Sequence, residues 1–175
     1  PHHQNQRTRP LTEKGFACCA PASSNKEHGV DVTVRVRRAK EGETITTLDG
    51  QLRTLDDQDL LVCADDKPEA LAGIMGGEGT MVEAGTTSLF LESANFRAST
   101  IRRTTMRLGL RTDASTRFEK AQDPSNAETA VYYFLELLQS HCPGASAAGP
   151  LVDPHGFAYE PKPFLLRRER ERAGE

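Results

Sequence analysis

Between Val30 and Arg37, the residues Val30, Val32, Val34 and Val36 alternate with Asp31, Thr33, Arg35 and Arg37. This is the two-residue period of a strand with one face in a core and one in water. Further on, Glu43 to Leu48 and Gln51 to Leu55 flank Asp49-Gly50, a pair suited to the positive φ angles of a type I′ turn, so the pattern predicts a β-hairpin. Short apolar runs at Leu60 to Ala64, Ala70 to Ile74 and Ser88 to Leu91 are bounded by turn formers such as Asp65-Asp66-Lys67-Pro68 and Gly76-Gly77. They read as buried strands. The period then lengthens: Ile101, Met106 and Leu108 lie among Arg102, Arg103, Thr104, Thr105 and Arg107, behind Ser99 and ahead of Gly109. That predicts a short amphipathic helix with Ser99 as N-cap and Gly109 as stop. Asp123-Pro124 opens a longer helix, with Pro at its first position and an apolar stripe of Ala127, Ala130, Val131, Phe134, Leu135 and Leu138, ended by Pro143-Gly144. Such a helix is expected to cover a sheet.

On either side of this region the periodicity fails. Residues 1–29, including Pro1-His2-His3-Gln4 and Cys18-Cys19-Ala20-Pro21, follow neither period and read as an irregular leader. Residues 149–175 contain Pro150, Pro154, Pro161 and Pro163 and the mixed charges of Arg167 to Arg172, and read as a connector. Residues 30–148 remain as one α+β domain, and 175 residues are ample for its core.

Composition narrows the class. With 27% charged and 37% apolar residues and no run near the ~20 needed for a membrane span, an ordinary globular chain in a reducing cytoplasm is expected. Cys18, Cys19, Cys63 and Cys142 lack the spacing of a zinc site, so no metal site is expected. A net charge of -3 leaves nucleic acid open, because only the cations that touch phosphates matter. Arg97, Arg102, Arg103, Arg107, Arg111 and Arg117 crowd one stretch poor in acids, with Arg103 and Arg107 at i,i+4. A solvated face and a phosphate-binding face are both compatible with that stripe.

Three segments mix permissive backbone with polar groups: Ala72 to Glu78, Leu91 to Phe96 and Leu110 to Glu119. Gly76 and Gly77 suit either a tight strand end or a wall where backbone approaches a ligand. Glu92 closes an apolar strand, so its carboxylate must face water, a cation or a polar ligand, and one of the many arginines is the ordinary partner. Thr112 and Ser115 can cap the helix that carries Arg117 and Phe118. His2, His3, His28, His141 and His155 stand in no motif for a nucleophile triad.

Taken together, Arg37-Arg38-Ala39-Lys40-Glu41-Gly42-Glu43, Thr47-Leu48-Asp49-Gly50, Leu71-Ala72-Gly73-Ile74-Met75-Gly76-Gly77, Leu91-Glu92-Ser93-Ala94-Asn95-Phe96, Leu108-Gly109-Leu110-Arg111-Thr112-Asp113-Ala114-Ser115 and Arg117-Phe118-Glu119 resemble the editing module of bacterial phenylalanine–tRNA synthetase beta subunits. The resemblance is strong from Val34 to Pro124, and Phe164-Leu165-Leu166-Arg167-Arg168 is similar to the opening of that family's next domain. It implies a three-layer α+β fold containing an unusual β-sandwich. It also implies hydrolysis of mischarged Tyr-tRNA(Phe), tRNA(Phe) as partner, and a catalytic alpha subunit in a heterotetramer of two alpha and two beta chains. ATP and Mg would serve the whole synthetase, with no cofactor in this segment. By the same resemblance, Glu92 meets the phenolic hydroxyl, while Gly76, Thr112 and Ala114 line the editing pocket. Arg103 and Arg107 are the candidates for tRNA-backbone contact. The chain departs from the family at a Pro-x-His-Ala-Phe-Asp element expected shortly before Val32, with only His3 far upstream as a stand-in. That departure keeps a catalytically silent tRNA-binding or assembly module as the alternative.

Overall fold

The computed structural model describes the strand Phe16–Pro21 and residues 33–152. The expectations for His3, Val30 to Val32 and the connector beyond Val152 lie outside the described residues. Strands β1 (Phe16–Pro21), β2 (Val34–Arg38), β3 (Thr44–Thr46), β4 (Leu52–Thr54), β5 (Leu60–Ala64), β6 (Lys67–Leu71), β7 (Met75–Gly76) and β8 (Phe90–Asn95) precede helices α1 (Ala98–Leu108), α2 (Asp113–Phe118) and α3 (Asn126–His141). Antiparallel strands β2-β5-β6-β7 form one sheet, β3-β4 a hairpin, and β1-β8 a separate pair. Sheets followed by helices make the α+β class that the pattern implies.

Several elements differ from their sequence reading for identifiable reasons. The segment read as an irregular leader contains β1, which pairs with β8 from Phe16↔Asn95 to Pro21↔Phe90. Its Phe-Ala-Cys-Cys-Ala-Pro run has no alternation from which a strand could be recognised. The hairpin forms, but its turn is not type I′, since Gly50 alone is left-handed (φ +72). Gly50 N donates to Thr47 O at 2.8 Å and Thr47 N to Gln51 O at 3.0 Å, which is a three-residue loop closed by a glycine bulge. The strand expected at Ala70 to Ile74 starts earlier, at Lys67, and stops at Leu71. Pro68 is accommodated because the β5–β6 register shifts beside it, between Val62↔Ala70 and Cys63↔Pro68. β8 runs past Leu91 to Asn95, so Glu92 lies within the strand and does not end it. Helix α1 takes Arg97, not Ser99, as its N-cap, and ends as expected at left-handed Gly109 (φ +61). The N-cap of α3 is Ser125, so Pro124 lies just ahead of the helix, not at its first position.

One core joins the four-stranded sheet to α1 and α2. Leu61 and Leu71, partners across β5 and β6, are buried with Leu55, Cys63, Ile74, Phe96, Ile101 and Leu110. Phe118 of α2 meets Phe96 edge-on, ring centres 5.0 Å apart. Polar groups lock α1 on from the other side: Asp59, 1% exposed, accepts from Thr104 Oγ1 at 2.7 Å, from Asp56 N at 3.0 Å and from Arg107 Nη2. Helix α3 lies on β8 and β1. Its buried stripe is narrower than expected, with Val131 buried among Leu91, Ala127, Leu135 and Leu151 while Ala130 and Phe134 stay exposed.

Candidate functional site

A cleft of about 490 Å³ opens between the β6–β7 turn, β8, α2 and the start of α3. Its walls are mostly apolar, with Leu71, Ile74, Met75, Ala94, Phe96, Ala114, Phe118, Ala127 and Ala130 among them. Alternation along β8 decides what faces where. Leu91 packs beside Val131 under α3, and Ser93 Oγ and Asn95 Nδ2 donate to Ala127 O and Gln122 O, which fixes the segment leading into α3. Glu92, Ala94 and Phe96, of the opposite parity, line the cleft, and Ser93 borders it too where α3 begins.

Glu92 has no hydrogen-bond or ion-pair partner among the described residues, and burial alone pushes its carboxyl up to about 7. The arginine salt bridge expected from the sequence is therefore absent among the described residues. Three arginines of the nearby basic stretch are engaged elsewhere: Arg111 bonds Glu119 at 2.9 Å, Arg102 reaches Glu119 O at 3.4 Å and Arg107 bonds Asp56 at 2.9 Å and Asp59. A carboxyl group left alone in an apolar cleft is costly unless a ligand hydroxyl or cation completes it.

The opposite wall is set by the turn from β6 to β7. Gly73 is left-handed (φ +68), and a Cβ there would meet Phe96 Cδ2 at 2.7 Å. At Gly77 a Cβ would meet Glu69 O at 2.7 Å, where the backbones bond by Gly77 N to Glu69 O. These two glycines follow from close approach within the fold. Gly76 itself lines the cleft, and a Cβ on it would approach Leu48 Cδ1 at 3.2 Å.

A profile of the B3/4 domain matches residues 25–143. The chain belongs to the B3/4 domain family. Over 122 residues, 70% of its length, the chain is 47% identical to the phenylalanine–tRNA ligase beta subunit of Thermosynechococcus vestitus. It is 42% identical over 77% of its length to that of Solibacter usitatus, and 48% identical over 79% to that of Geobacter sulfurreducens. The chain spans only 15 to 17% of the length of these relatives.

Of the residues named from the sequence, Glu92, Gly76 and Ala114 come together on the cleft of the B3/4 domain. Thr112 stands behind its wall. Its hydroxyl accepts from Ser115 N at 3.1 Å and donates to Ile74 O at 2.7 Å, while Ser115 Oγ accepts from Thr112 N at 2.9 Å. This reciprocal cap starts α2 and pins it to the β6–β7 turn. Arg103 and Arg107 lie away from the cleft: Arg103 bonds Gln58 Oε1 at 2.7 Å, and Arg107 joins α1 to Asp56 and the buried Asp59. Within the stripe read from their spacing, Arg107 thus also anchors α1 to the loop that carries Asp56 and Asp59. Arg117, Asp123 and Asn126, which also line the cleft, were not singled out from the sequence. For Arg117 a signal was present, since it lies three residues after Ala114 on one face of α2. Among the described residues no group of three or more His, Cys, Asp or Glu could hold a metal ion, and no helix is long and apolar enough to cross a membrane.

Proposed function

We propose that this B3/4 domain is the editing module of a phenylalanine–tRNA ligase beta subunit and hydrolyses the ester of mischarged Tyr-tRNA(Phe). The observation that carries the reading is the Glu92 carboxyl, half-buried and without a partner among the described residues, in a mostly apolar cleft of about 490 Å³. Such a volume lies within the range of small-ligand sites. Discrimination between Tyr and Phe has to come from one hydroxyl, which an apolar pocket rejects poorly but a polar group can read. With a pKa of about 7, Glu92 can accept the phenolic proton when ionised or donate to the phenolic oxygen when protonated. A Phe ring offers neither, and would leave the carboxyl desolvated and unpaired. Selectivity then falls on the error product.

Gly76 and Ala114 keep the walls low around the ring, and Thr112 acts by holding α2 at the right height over Ile74. Hydrolysis in this reading uses a water positioned by backbone and substrate groups, so the chain's part is to orient the ester. The alpha subunit, tRNA(Phe), ATP and Mg belong to the proposed assembly, with ATP and Mg at the aminoacylation site of the partner subunit and no step here routed through them.

Deacylation of Tyr-tRNA(Phe) and Phe-tRNA(Phe), by the chain and by the subunit containing it, tests the reading. The Tyr ester should be cleaved selectively, and Glu92→Ala should lower the Tyr/Phe ratio about 10- to 100-fold while the fold persists. Cleavage of the Tyr ester no faster than in buffer would refute the hydrolase assignment.

A further inference from the structure

Among the described residues, Arg117 is the one cationic side chain lining the cleft. Helical spacing accounts for its direction: Ala114, Arg117 and Phe118 stand at i, i+3 and i+4 on α2 and all line the cleft, so the guanidinium lies on the cleft side of the helix. The rotation of α2 is fixed at both ends, by the Thr112–Ser115 cap with its bond to Ile74 O and by the Phe118–Phe96 ring contact. Arg102, Arg103, Arg107 and Arg111 all bond to other groups of the domain. The Arg117 side chain has no partner among the described residues and is exposed at the cleft edge, while Glu92 is half-buried within it.

An aminoacyl ester on a terminal nucleotide carries a phosphate on the 5′ side of the same ribose. Resting on the editing reading above, we infer that Arg117 receives this phosphate and so sets how far the aminoacyl group enters toward Glu92. A guanidinium on a rigid helix suits the role, because its planar fork binds two phosphate oxygens at once, in a direction fixed by the helix. The cleft thus reads its substrate at two points: the side chain's hydroxyl at Glu92 and the nucleotide's phosphate at Arg117.

Two small esters separate the parts of this inference: 3′-O-tyrosyl adenosine and its 5′-monophosphate. Wild type should hydrolyse the phosphorylated ester with the higher kcat/KM. Arg117→Ala should lower kcat/KM for the phosphorylated ester about tenfold more than for the unphosphorylated one, and Arg117→Lys should restore part of the difference. Unchanged thermal midpoints would show that the variants keep the fold. Equal losses on both esters, or no preference for the phosphate in wild type, would overturn the role of Arg117 and leave the editing reading standing. If wild type cleaves neither small ester nor Tyr-tRNA(Phe), the editing reading fails and the phosphate role fails with it.

Discussion

Burial pushes the Glu92 carboxyl up to about 7, since water is removed from it and no cation bonds it among the described residues. The sign of its effect on stability follows. Between an ordinary 4.5 and about 7 the folded chain holds a proton that the unfolded chain has released, so stability is complete at low pH and falls as pH rises through 7. Glu92→Gln should therefore stabilise the chain by about 1–3 kcal/mol at pH 8 and by nothing at pH 4, as read from urea denaturation. A gain that is the same at both pH values would mean that ionisation is not the cause. Thr112 gives a second residue-scale expectation. Thr112→Val removes both the cap and the bond to Ile74 O and should cost about 2 kcal/mol, whereas Thr112→Ser keeps both oxygen contacts and most of the stability. From the sequence, the capping pair was legible because it is local. Lone Glu92 was not, because which of the nearby arginines are engaged by Glu119, Asp56 and Asp59 is decided only by tertiary structure.

At the scale of elements, α1 is held by a buried charge as well as by Ile101. Arg107→Ala leaves Asp59, 1% exposed, without its cation, and should cost about 3–5 kcal/mol. Arg103→Ala loses only a surface bond to Gln58 and should stay within about 0.5 kcal/mol of wild type. Thermal midpoints of the two variants measure that contrast, and equal effects would count against Asp59 as the anchor. Reduced RNA binding by an Arg107 variant would accordingly need a folding control before it spoke to phosphate contact. β5, the existence of the hairpin, the Gly109 stop and the Pro143-Gly144 end of α3 were legible because each is written in a few consecutive residues. β6 was displaced in the reading because Pro68 argues against a strand interior, and only the register shift opposite Cys63 admits it. β1 is a strand through its pairing with β8, a partner that lies far along the chain.

Across the whole molecule, two carboxyl groups tilt stability in opposite directions. The paired hydrogen bonds from Arg37 at 2.7 and 2.8 Å hold Glu43 down to about 2. Its contribution is complete above an ordinary 4.5 and is lost as pH falls toward 2, whereas Glu92 costs stability as pH climbs from 4.5 through 7. Thermal midpoints should therefore peak near pH 5, with Glu43→Gln flattening the acid limb and Glu92→Gln the neutral one. A peak at pH 8 in wild type would contradict this balance.

Gly73 bears on how such a cleft could change over generations. Its backbone is left-handed and a Cβ on it would stand 2.7 Å from Phe96 Cδ2, so any side chain there must displace the ring that steadies α2. The β6–β7 side is thus closed to gradual variation, while Ala114, Ala127 and Ala130 border the same cavity from helices. Lineages that adapt to bulkier or slimmer side chains on the ester would drift at those alanines first, with Gly73 as the fixed point around which the cavity is resized.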